Sequence, residues 1–118
     1  MKRFQSIKSN SDFQFVYKNG RSYVNKYLVM YAVKKDDPET RIGISASKKV
    51  GNSVVRHRMA RLVREAFRLN RDRLEEGYDI VVVVRNTAKD KKFDKIESAF
   101  LHLCGLHNIL KNRSECFD

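Results

Sequence analysis

Hydrophobic and polar positions along this chain follow two different periods, and the switches between them mark its elements. Residues 9–18 open on Ser9, Asn10 and Ser11, all helix-capping types, and stop before Asn19-Gly20, a helix-end and turn signal. Phe13 and Tyr17 stand four apart with Val16 alongside, which predicts a short helix with an aromatic stripe. Residues 23–34 are rich in β-branched and aromatic side chains and predict a strand. Alternation sets Tyr27, Val29, Tyr31 and Val33 on one face and Leu28, Met30 and Ala32 on the other. The polar stretch 34–40, which holds the single proline, Pro38, reads as a turn. Residues 41–47 predict another strand, with Ile42, Ile44 and Ala46 facing one way and Gly43, Ser45 and Ser47 the other. That second face is small enough to leave room for something to lie against the sheet.

A longer helix follows, capped by Asn52 or Ser53 and running to about Asn70, with Glu75-Glu76-Gly77 closing the connection. Ile80 to Val84 is wholly apolar and predicts a central strand covered on both faces. Phe93, Ile96, Phe100, Leu103, His107 and Leu110 repeat at helical spacing, which predicts a packing helix over residues 91–111 before a frayed tail at 112–118. The order is α-β-β-α-β-α, with room for a further short strand near residues 20–25. It predicts an α+β fold, an α/β sandwich in which helices pack a small mixed sheet. With 118 residues and no repeats or linkers, the chain reads as one domain, 1–118.

The helix at 52–70 departs from an ordinary surface helix. At about 100° per residue, His57, Arg61, Arg64, Arg68 and Arg71 fall in an arc of roughly 80°. Val55, Met59, Leu62, Val63, Ala66 and Leu69 fall opposite, with Arg56 and Arg58 on the shoulders. Like charges four apart destabilise a helix by a few tenths of a kcal/mol per pair, yet only Glu65 interrupts these arginines. A polyanion relieves such self-repulsion. The turn Lys48-Lys49-Val50-Gly51-Asn52 feeds directly into the helix start, where free backbone N–H groups and the helix dipole attract anions.

The charge map sharpens that picture. Residues 41–73 carry a net +8, residues 1–40 a net +4 and residues 74–118 a net −1, of +11 in all. A localised excess of this kind is the footprint of a phosphate-binding face. Cys104 and Cys116 show neither a CxxC pairing nor metal-ligand spacing with His102 or His107, and read as a buried thiol and an incidental one. With no apolar run of membrane-spanning length, and no apolar segment after the basic Met1-Lys2-Arg3-Phe4, the expected location is cytoplasmic.

Catalytic signatures are missing from the sequence: it has no GxGxxG, GxxxxGK[ST], HExxH or GxSxG, and its carboxylates form no metal-binding pattern. No catalytic or metal-ligating residue is expected. His102 and His107 read as groups at the edge of the last helix, whereas His57 lies inside the arginine arc. Phe13, Tyr17, Val29 and Tyr31 read equally well as a second core layer or as a stacking platform for single-stranded nucleic acid.

The run Lys48-Lys49-Val50-Gly51-Asn52-Ser53-Val54-Val55-Arg56-His57-Arg58-Met59-Ala60-Arg61-Leu62-Val63-Arg64 closely resembles the signature of the bacterial ribonuclease P protein subunit. Asp12-Phe13-Gln14-Phe15-Val16-Tyr17-Lys18-Asn19-Gly20 and Arg41-Ile42-Gly43-Ile44-Ser45-Ala46-Ser47 resemble the same family, in order, over about residues 1–100. The family's signature centres on Arg-Asn-Arg where this chain has Arg56-His57-Arg58, and an imidazole also donates to phosphate.

The resemblance implies a small subunit of a ribonucleoprotein whose RNA performs the hydrolysis, with precursor tRNA as substrate and its 5′ leader removed. It implies an α/β sandwich with a left-handed crossover, an exception to the usual hand. The positions matching the family's RNA-facing turn and helix are Lys48, Lys49, Asn52, Arg56, His57, Arg58, Arg61, Arg64 and Arg68. Those matching its leader cleft are Phe13, Tyr17, Val29 and Tyr31. Magnesium is implied at the RNA-centred active site, with no ligand from the protein. The alternatives are a ribosomal or general RNA-binding protein, a free-standing nuclease and a DNA-binding protein. Missing clustered carboxylates and paired histidines weigh against the nuclease, and a helix poor in base-reading Asn or Gln against the DNA binder.

Overall fold

The computed structural model describes residues 5–111, so the tail, Cys116 and the basic N-terminal residues lie outside the described part. Five strands form one mixed sheet: β1 (Gln5–Ser6), β2 (Arg21–Val24), β3 (Leu28–Lys34), β4 (Arg41–Ser45) and β5 (Tyr78–Val84), in the spatial order β1-β4-β5-β3-β2. The β1–β4 and β4–β5 pairs are parallel; β5–β3 and β3–β2 are antiparallel. Helix α1 (Asn10–Asn19) covers one face, while α2 (Ser53–Asn70) and α3 (Phe93–Leu106) cover the other. This is the α+β sandwich that the pattern predicts.

The apolar run at 80–84 earns its central place. Ile80, Val82 and Val84 face α2 and α3, Val81 faces α1, and all four are buried. The larger core joins Met30, Ile42, Ile80 and Val82 of the sheet to Met59, Val63, Ala66 and Phe67 of α2 and to Ile96, Phe100 and Leu103 of α3. Phe67 and Phe100 meet edge to face across the two helices, 6.4 Å between centroids.

Several boundaries fall elsewhere than the periodicity places them. The strand expected at 23–34 is a hairpin, because Asn25 turns the chain: its Oδ1 accepts from the Tyr27 and Leu28 amides at 3.2 and 3.0 Å. The further strand expected near 20–25 is thus β2. Tyr27 precedes β3, packs on the larger core and does not share the face of Val29 and Tyr31. The β4 strand stops at Ser45 rather than residue 47.

The helix expected at 91–111 ends at Leu106, since Asn108 takes the left-handed conformation with φ 59° and Leu110 forms a bridge with Leu74. Leu69 is a further correction. It is 53% exposed, and Phe67 and Asn70 take the buried positions instead, so the apolar stripe is rotated away from Leu69. Strand β1 has no sequence signal of its own; two residues are held by pairing to Arg41 and Ile42.

Candidate nucleic-acid interface

Helix α1 crosses the sheet on the side opposite α2. Ser9 caps it, accepting from the Asp12 amide at 3.1 Å, and the Gly20 amide closes it on the Val16 carbonyl at 2.8 Å. Val16 is buried with Ile7 and Val81, while Phe13, Tyr17, Tyr31, Val33 and Val83 pack around them only partly covered. The space left by Gly43 is taken by α1 itself: a β-carbon there would lie 2.8 Å from Phe13 Cζ. Tyr17 meets Tyr31 nearly perpendicular, 4.9 Å between centroids and 76° between planes, and Phe13 follows at 6.3 Å from Tyr17. Three of the four predicted cleft residues are therefore one contiguous aromatic seam.

The fourth, Val29, lies one row further along the sheet. Its cross-strand neighbours are Val24 on one side and Val83 on the other, and Val83 pairs in turn with Ser45. None of these four is buried, and Val24 is 56% exposed. The result is an open, largely apolar strip beside the aromatic seam. Val24, Val83 and Ser45 are not legible as site residues in the sequence, because only the strand order brings three distant segments into one row.

The strip ends at Ser45, and the chain then runs through Lys48 and Lys49, both exposed, into α2. Asn52 caps that helix by accepting from the Val55 amide at 3.0 Å. The predicted basic residues of α2 divide into four groups here. His57, Arg61 and Arg64 are exposed, and neither arginine has an ion pair among the described residues. Arg58 is committed inward, donating to the carbonyls of Lys89 at 3.3 Å and Lys91 at 3.0 Å, so it clips α2 to the loop after β5. Arg68 pairs with Glu65, Nε to Oε1 at 3.0 Å, and that hydrogen bond holds the Glu65 carboxyl below its ordinary range. Arg56 is half-buried, and its buried Nε has no acceptor among the described residues.

Three further titratable groups, Asp79, His107 and Cys104, sit in the framework rather than on the basic face. Asp79 is buried at the end of β5 and held by Arg41 at 2.7 and 3.0 Å and by Lys35 at 3.0 Å; Arg41 also reaches Asp12 of α1 at 3.3 Å. Burial pushes the Asp79 carboxyl up, but its bonds to Arg41 and Lys35 outweigh that and leave it below the usual value. His107 is half-buried, donates from Nε2 to the Met30 carbonyl at 2.8 Å, and is held below its ordinary pKa chiefly by burial. Burial pushes the Cys104 thiol up to about 12. Among the described residues no three His, Cys, Asp or Glu side chains gather as a metal site.

The family profile named Ribonuclease P matches residues 1–107. The chain belongs to the ribonuclease P protein family. It is 52% identical over 108 residues to the ribonuclease P protein component of Lachnoclostridium phytofermentans, covering 92% of this chain and 93% of the relative. With that of Alkaliphilus oremlandii it shares 42% over 112 residues, covering 95% and 98%. The Staphylococcus aureus ribonuclease P protein superposes with a TM-score of 0.84 at 34% identity, over 92% of this chain and all of the other (100%). The Thermotoga maritima protein follows at 0.78 and 30%, over 86% and 96%. A second S. aureus structure, TM-score 0.83 at 35% identity over 89% of each chain, is described as a mutant with defective mRNA degradation activity. The chain is thus a protein subunit of an endoribonuclease ribonucleoprotein, fitted for processing tRNA 5′ ends, and its partner is RNA. Among the described residues no helix is long and apolar enough to cross a membrane.

Proposed function

We propose that the two surfaces divide the work of the ribonuclease P particle. The turn at Lys48–Asn52 and the outer face of α2 hold the catalytic RNA, and the aromatic seam with its open strip holds the single-stranded 5′ leader of precursor tRNA. The observation that carries the reading is the seam itself: Phe13, Tyr17 and Tyr31 form one cluster and remain only partly covered. A finished core would bury them. Base stacking on aromatic rings tolerates any sequence, as leaders of varied sequence require.

The strip and the basic turn are consecutive in the chain, from Ser45 to Lys48, so a leader lying on the sheet runs toward the surface that holds the catalytic RNA. Bringing two polyanions together is costly, and the cations of α2 lower that cost. Arg56, half-buried on the shoulder of α2 with an Nε that has no acceptor among the described residues, keeps a donor in reserve beside the same surface. The hydrolytic metal, magnesium, belongs to the RNA-centred active site. The particle works in the cytoplasm.

The test is affinity for precursor tRNAs of increasing leader length, measured for holoenzyme with the native protein and with Tyr31→Ala. The native holoenzyme should gain affinity as the leader lengthens and the variant should gain less, while mature tRNA distinguishes them little. Equal gains for both would place the leader elsewhere.

A further inference from the structure

Val54 is an anomaly on the RNA-facing side of α2. It is 74% exposed in the first turn of the helix, where a β-branched residue contributes little to helix stability and an acidic one would serve the dipole better. It stands at the edge of a shallow hollow of about 480 Å³ lined by Ser53, Val54, His57, Arg58, Arg61 and Leu62. Val54 and Leu62 are apolar, the other four lining side chains carry hydrogen-bond donors, and none of the six is a carboxylate. Arg58 is a fixed wall rather than a mobile charge, because the Lys89 and Lys91 carbonyls hold its guanidinium. The hollow therefore exists before anything binds.

We propose that this hollow seats one unstacked base of the catalytic RNA, a contact that rests on the reading of α2 as the RNA face. What points to a base rather than a bare phosphate is the apolar pair Val54 and Leu62 among the donors: a phosphate uses only the donors, whereas a base lays its π-face on the apolar side chains while guanidinium and imidazole planes stack on it or donate to its edge. The chemistry also selects RNA over a second copy of this chain. Two copies meeting here would bring arginines against arginines at a net charge of +11 each.

The discriminating measurement is the salt dependence of holoenzyme assembly with the cognate ribonuclease P RNA, for native protein, Val54→Ala and Arg64→Ala. Val54 is exposed and alanine favours helix, so this variant keeps its fold. Val54→Ala should weaken assembly roughly three- to tenfold at every salt concentration with the log–log slope unchanged, as expected for losing part of a stacking contact. One base of the RNA, protected from dimethyl sulfate by native protein, should regain reactivity. Arg64→Ala should instead lower the slope. If Val54→Ala assembles like native protein while Arg64→Ala still lowers the slope, the hollow is empty and the RNA face stands. A lowered slope for Val54→Ala would mean a phosphate there and overturn the proposal. So would a dimer of RNA-free protein that Val54→Ala dissolves. If neither variant changes assembly, the reading of α2 itself fails.

Discussion

Arg41 grips Asp79 with two nitrogens, at 2.7 and 3.0 Å, and turns its remaining nitrogen to Asp12 at 3.3 Å. One guanidinium on β4 thus ties the central strand to α1, the helix that carries Phe13 and Tyr17. Lys35 completes the cage around the carboxylate.

This cage predicts how stability depends on pH. The folded Asp79 carboxyl titrates below its unfolded value, so its contribution is complete above the unfolded pKa of about 4 and is lost as the pH falls through the folded value. Asp79→Asn should cost about 1.5–3 kcal/mol at pH 7, the range for hydrogen bonds to charged groups. Its deficit should shrink as both proteins are acidified, because protonation then removes the same charge from the native chain. Urea melts at a series of pH values measure this, and a deficit independent of pH would show that the charge contributes nothing.

The arginines of α2 should separate by role. Replacing exposed Arg61 and Arg64 by Ala should lower the log–log salt slope of RNA binding by up to about one unit each and leave folding intact. Arg58→Ala should behave in the opposite way. It leaves the Lys89 and Lys91 carbonyls without their donor, so stability should fall by about 1–3 kcal/mol. Denaturation and binding measured on the same three variants decide it.

Tyr17 and Tyr31 should act on the precursor alone. Either Tyr→Ala change should weaken precursor-tRNA binding by roughly 1–3 kcal/mol if each ring stacks on a base, and leave mature tRNA bound as before. Phe13 is a poorer probe, since its ring fills the space over Gly43 and its loss leaves a cavity. Equal losses for precursor and mature tRNA would assign the tyrosines to the core.

Rigorously RNA-free protein should leave precursor tRNA intact at any magnesium concentration, and single carboxylate substitutions should slow the holoenzyme's chemical step far less than the 10²–10⁴-fold, roughly, of a lost general base. Specific cleavage by the protein alone would transfer the catalyst to this chain.

What the sequence determined by itself is what repeats locally. The 3.6-residue period and the Ser9 and Asn52 caps mark α1 and α2, and the unbroken apolar run from Ile80 to Val84 marks β5 as central. The crowding of arginines on α2 needs no partner strand to be seen, because a helix face is set by residues a few positions apart. Tertiary structure decided everything that depends on which distant segments meet. Val24, Val29, Val83 and Ser45 form one row only because β2, β3, β5 and β4 lie side by side in that order. Arg58 and Arg64 are indistinguishable as letters, yet the loop at 89–91 captures one and leaves the other in water. Leu69 is apolar but lies too far around the helix from the sheet to be covered, and Asn70 is buried because Glu97 of α3 and the Ala66 carbonyl accept from it at 2.8 Å. Periodicity describes a face; only packing says how far that face is covered.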